Sequence, residues 1–130
     1  MPEIDFDDLI KSRQLKREPA IGQDQVDRLL KRAQQDLESA KMIKPTDEAA
    51  AMDLTYKAMF HAANAILGKH KLRPGPVRQH LGVIEAATRI LPPEAETHLL
   101  KFDRLRRRRN LFEYQGVFEM GSITRRLLYP

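Results

Sequence analysis

Cysteine is missing from all 130 residues. That excludes a disulfide framework, a thiolate nucleophile and a zinc–thiolate site, and it fits a cytoplasmic protein. Glycine is scarce, at six residues, and no glycine-rich loop of the phosphate-cradling kind is present. No apolar run approaches the length of a membrane span, so a membrane is not an expected partner. The acidic, polar start (Pro2, Glu3, Asp5, Asp7, Asp8) does not read as a signal peptide. The histidines are His61, His70, His80 and His98, and none forms an HxxxH or HExxH pair. No metal site and no cofactor is therefore expected. Ser12, Ser39 and Ser122 lie in no nucleophile-elbow context. Sustained period-two alternation, internal repeats and low-complexity runs are absent too.

Charge is present but unevenly spread. The chain carries a net charge of +5. From Lys101 to Pro130 there are eight Lys or Arg against three Asp or Glu, so the first hundred residues balance at fifteen of each. A local excess of this kind favours an anionic partner such as RNA, DNA, a nucleotide or an acidic protein. The plainer alternative is a solvated face whose arginines suit the negative end of a helix dipole.

The apolar pattern predicts an all-α protein of one domain, residues 1–130. A short helix or lid is expected over Ile4 to Gln14, anchored by Ile4, Phe6, Leu9, Ile10 and Leu15. Lys16, Arg17 and Glu18, then Pro19 and Gly22, read as a break. The first long helix starts near Gln23 or Asp24, with Val26, Leu29, Leu30, Ala33, Leu37 and Ala40 along one side. It stops at Lys44-Pro45, because the residue before a proline is pushed out of helical geometry. Thr46 is the expected N-cap of a second helix that runs to about His70. Its alanines surround the axis, which describes a central helix packed by several neighbours. A third helix is predicted over Val77 to Ile90, with Val77, Leu81, Ile84 and Leu91 inward. A fourth runs from Pro93 or Glu94 to about Gln115, with Gly116 as its terminal residue. Four long helices with short connections imply an up-and-down four-helix bundle, core about 24–116, with a short N-terminal segment and a C-terminal tail.

The fourth helix carries the most unusual stretch. Arg104-Leu105-Arg106-Arg107-Arg108-Arg109 holds five arginines in six residues, followed by Asn110-Leu111-Phe112-Glu113-Tyr114-Gln115-Gly116. At helical spacing His98, Phe102, Leu105, Phe112 and Gly116 form a stripe, and Arg109 falls on it. Arg104, Arg107 and Arg108 point elsewhere. A guanidinium on an apolar stripe is costly unless paired, so Arg109 either meets a carboxylate or belongs to a site. Asn110 and Tyr114 share one face, and Arg109 and Glu113 another. On the second helix Asp53, Lys57 and His61 form a single polar row, either a solvated ion-pair row or a partner to Arg109.

These stretches together resemble the higher eukaryotes and prokaryotes nucleotide-binding (HEPN) superfamily. Tyr56-Lys57-Ala58-Met59-Phe60-His61-Ala62-Ala63-Asn64-Ala65-Ile66-Leu67 is similar to that family's second helix. Leu105 to Gly116 is similar to its fourth-helix motif, an arginine, commonly a polar residue such as asparagine, and a histidine after four to six intervening residues. Arg109 and Asn110 map onto the first two positions. Tyr114 stands where the histidine would be, and no histidine follows Arg109. The resemblance implies a homodimer whose two motif copies share a cleft, and metal-independent RNA cleavage in active members. It also implies a toxin-antitoxin or defence role, with a minimal nucleotidyltransferase as partner.

Arg109, Asn110 and Tyr114 are thus the candidate catalytic residues, and Arg106, Arg109, Asn110, Lys57 and His61 the candidate RNA- or nucleotide-binding ones. A tyrosine of ordinary pKa near 10 is a poor base at neutral pH. Binding of RNA or nucleotide through a basic dimer cleft is therefore the leading expectation. A ribonuclease using Arg109 and Asn110 is the first alternative, and a non-catalytic protein-interaction module the second.

Overall fold

The computed structural model describes residues 3–108. Arg109, Asn110, Tyr114, Gly116 and the C-terminal tail lie outside the described residues. The elements run in the order α1 (Asp7–Lys11), β1 (Leu15–Arg17), α2 (Gln23–Ile43), α3 (Glu48–Lys69), β2 (Leu72–Pro74), α4 (Gln79–Ile90) and a 3₁₀ turn (Pro93–Ala95). Residues 96–108 continue as a further helix, α5. The molecule is mostly helical, as its periodicity predicts. No helix among the described residues is long and apolar enough to cross a membrane.

The α2–α3 hairpin is the backbone of the fold. Two helices of 21 and 22 residues, joined at Lys44–Asp47, pack side by side. Small side chains permit the close approach. Val26, Ala33 and Ala40 are buried on α2, and Ala51, Ala58 and Ala65 recur every seven residues on α3. The buried side of α2 is the expected one at Val26, Ala33 and Ala40, but Leu30 is exposed and Asp36 is buried. The cap of α3 differs as well. Asp47, not Thr46, accepts the hydrogen bond of the Ala50 backbone N–H, at 3.0 Å. Thr46 instead donates its hydroxyl to the Ile43 carbonyl and closes the end of α2.

The break expected at Lys16 to Glu18 contains a strand. Leu15 pairs with Pro74, Lys16 with Arg73 and Arg17 with Leu72, antiparallel. Leu15 and Leu72 are buried on the inner face of this two-stranded ribbon, and Lys16 and Arg73 are exposed on the outer one. Leu15, Leu72, Phe6 and Leu9 join Tyr56, Leu67, Val83 and Phe102 in the main core. So the N-terminal segment is a structural part of the core, with Ile4 left exposed.

α4 turns a different side inward from the one its large residues suggested. Gly82, Val83, Ile84, Ala86 and Ala87 are buried, whereas Val77 and Leu81 are exposed. The reason is the ribbon: a Cβ on Gly82 would lie 2.8 Å from the Gln14 carbonyl oxygen, so only a bare backbone fits there. Small residues carry little weight in a hydrophobicity pattern, and the close contact is what selects them.

Candidate nucleic-acid interface

Phe102 sets the orientation of α5. It is buried against Tyr56 of α3, with ring centroids 5.3 Å apart, and Leu99 and Leu105 pack beside it. His98, expected on this stripe, is exposed, and Leu99 takes the inward position. With Phe102 inward, the five described basic residues from Lys101 onward divide by rotation about the helix.

Asp103 neutralises two of them. Its Oδ1 lies 3.2 Å from Arg106 and its Oδ2 2.9 Å from Arg107. Arg106 is only 19% exposed, so it is the described guanidinium nearest the apolar side, and its partner lies three residues back on the same helix. The remaining three, Lys101, Arg104 and Arg108, line a groove of about 400 Å³ between α5 and α3. Thr55, Met59, His98 and Leu105 complete its walls. Among the described residues, none of the three cations has an acidic partner. Three unpaired cations on one open groove repel one another and attract a polyanion. Arginine adds a planar fork that matches two phosphate oxygens.

The polar row on α3 lies elsewhere. Lys57 pairs with Asp53 at 2.9 Å within the helix and is half exposed. His61 turns to α2, with Nε2 3.7 Å from Oδ2 of Asp36. That carboxylate is only 2% exposed; Arg32 reaches its other oxygen at 3.0 Å, and Oδ2 has no hydrogen-bond partner. His61 is two positions beyond Met59, about 200° around a regular helix. His61 therefore stands across the helix from the groove. The row divides, with Lys57 on an intrahelical ion pair and His61 on the α2 seam. Arg106 has its ion pair within α5, Lys57 within α3, and His61 faces Asp36 on α2.

Several residues here carried no sequence signal. The Tyr56 hydroxyl hydrogen-bonds Nδ1 of His80, 24 residues away, and Phe60 stacks beside both. Nothing local to His80 announces that partner. The groove cations were visible as a cluster, and Asp103 meets Arg106 and Arg107 at ordinary helical spacing, but which cations face the groove follows from where Phe102 points. Among the described residues no group of three His, Cys, Asp or Glu side chains is placed to hold a metal ion. Comparison with models of protein families, with curated proteins and with solved structures finds no match.

Proposed function

We propose that this protein binds RNA through the groove between α3 and α5, as a HEPN-like module. The observation that carries this is the division of the arginine cluster. Asp103 takes Arg106 and Arg107, while Lys101, Arg104 and Arg108 line one groove with no acidic partner among the described residues. A stabilising surface network would distribute acids among these cations; a phosphate-binding surface leaves them open. Arg109 follows directly in the chain and extends the same basic run, with the polar Asn110 after it. A homodimer would place two such runs about a shared cleft, with cytoplasmic RNA as its target.

The test is fluorescence anisotropy with a labelled oligouridine RNA over a range of KCl concentrations. The variant combines Lys101→Ala, Arg104→Ala and Arg108→Ala. Its affinity is expected to fall at least about tenfold, and the slope of log K against log salt to become shallower by about 2, near 0.7 for each lost phosphate contact. Unchanged affinity and slope would overturn the proposal. The same RNA, incubated in EDTA with wild type and with Arg109→Ala, reports separately on cleavage. Loss of cleavage in the variant would add a catalytic role to the binding one.

A further inference from the structure

The β ribbon gathers a second set of cations from two distant parts of the chain. Val77 N–H donates to the Arg13 carbonyl at 3.1 Å, which brings Arg13 beside Arg78. Lys16 lies opposite Arg73 across the ribbon. Glu18 N–H donates to the Lys71 carbonyl at 3.0 Å, at the far end. From Arg13 to Glu18 the ribbon covers about 15 Å at the rise of an extended chain. Its two neighbouring carboxylates are already engaged, Asp7 with Arg17 and Glu18 with Arg73, each at 3.0 Å. Arg13, Lys16, Lys71 and Arg78 are left exposed, and none has an acidic partner among the described residues.

Three of these four sit where the backbone disfavours them. Among the described residues, left-handed backbone occurs at Arg13 (φ 64°), Lys71 (φ 62°) and Arg78 (φ 45°). Arg13 follows the C-cap of α1: its N–H bonds the Ile10 carbonyl and that of Gln14 bonds the Leu9 carbonyl. This is the paired-bond helix ending whose left-handed residue is usually glycine. Lys71 follows the C-cap of α3 and bonds Gly68 in the same way. Arg78 is the N-cap of α4, which has no side-chain cap and no acidic residue in its first turn. A cation there also opposes the helix dipole. Glycine or asparagine would relieve each position. Instead all three hold a positive charge, on the same ribbon.

We propose that the ribbon is a second nucleic-acid contact, in which Arg13, Lys16, Lys71 and Arg78 hold the phosphodiester backbone of a bound strand. This takes its partner from the function proposed above, but it uses another surface. Gly68, against which the Ile21 backbone is hydrogen-bonded beside the ribbon, lies about 14 Å along α3 from Met59 in the groove. Sequence-independent backbone contact suits these four cations, because charged side chains without a partner match phosphate oxygens.

The experiment compares two oligouridine RNAs, one of about 6 nucleotides, within the span of a single site, and one of about 30 that reaches both surfaces. The ribbon variant combines Arg13→Gly, Lys71→Gly and Arg78→Asn. Its melting temperature is expected to rise by several degrees while its affinity for the long RNA falls about tenfold and its salt slope becomes shallower by about 2. Its affinity for the short RNA stays unchanged. A stabilised variant that has lost binding separates the role of charge from damage to the fold. Lys16→Gln leaves the left-handed positions alone and must lower the slope by about 0.7. The ribbon proposal is overturned if the long RNA binds both variants as it binds wild type, or if only phosphatidylserine vesicles discriminate between them. The groove proposal is read separately. If no form binds the short RNA while the long RNA depends on the ribbon, the groove fails and the ribbon stands. If wild type binds neither RNA, both fail.

Discussion

Arg89 ties the start of the chain to α4. Its two terminal nitrogens each lie 2.7 Å from an oxygen of Asp8, in a bidentate pair, and one also donates to the Asp5 carbonyl at 3.0 Å. Glu85 adds a contact at 3.3 Å from one turn back. The hydrogen bonds and charge of Arg89 hold the Asp8 carboxyl down to about 2, from 3.8, and the same pair raises the guanidinium above its ordinary value. A carboxyl lowered in the folded state binds fewer protons there than in the unfolded chain. Its stabilisation is therefore complete above about pH 4 and is lost as the pH falls through about 2. Asp8→Asn is expected to be less stable than wild type at pH 7, with the two converging at about pH 2. Urea denaturation at both pH values checks this. A separation of 81 positions in the chain leaves no periodic trace, so local spacing does not reveal the pair.

Glycine contacts decide how the elements sit on one another. At Gly82 the obstructing atoms are the Cβ and carbonyl oxygen of Gln14, 2.8 Å from an added Cβ, and neither can move without the β1 backbone. At Gly68 the nearest atom is Cδ1 of Ile21, the end of a flexible side chain. Gly82→Ala is thus expected to cost about 1–3 kcal/mol, as overpacking does, and Gly68→Ala distinctly less. The difference is measurable by chemical denaturation. Element boundaries were largely evident beforehand. Pro45 marks the end of α2, and the long period-3.6 patterns mark α2 and α3. The ribbon was not, because three-residue strands are too short to show alternation. The inward side of α4 departs from the pattern of its large residues because Gly82, Ala86 and Ala87 are selected by proximity to another element. The candidate site was half evident: the basic cluster and its spacing from Asp103 stand out in the chain, but the groove that Lys101, Arg104 and Arg108 line needed the direction of Phe102.

At the scale of the whole molecule, charge is segregated in space where it looks balanced along the chain. The first hundred residues carry as many acids as bases, yet the ribbon collects cations whose neighbouring acids are occupied. Two basic surfaces, the ribbon and the groove, should respond to the same polyanion. A ligand that binds only the folded state stabilises it by about 2.7 kcal/mol at a hundredfold excess over Kd. Long oligouridine at that excess is expected to raise the melting temperature of the wild type. Combining the groove and ribbon substitutions should remove the effect, which thermal denaturation with and without RNA would show.

Helix content, the Pro45 stop and the arginine cluster follow from the chain alone, because hydrogen bonding and periodicity within a helix act over three or four residues. The burial of Asp36, the inward turn of Gly82, the pairing of Tyr56 with His80 and the meeting of Arg13 with Arg78 belong to the folded molecule. Each depends on segments between 24 and about 70 positions apart in the chain coming into contact, and no local pattern records which surfaces will meet.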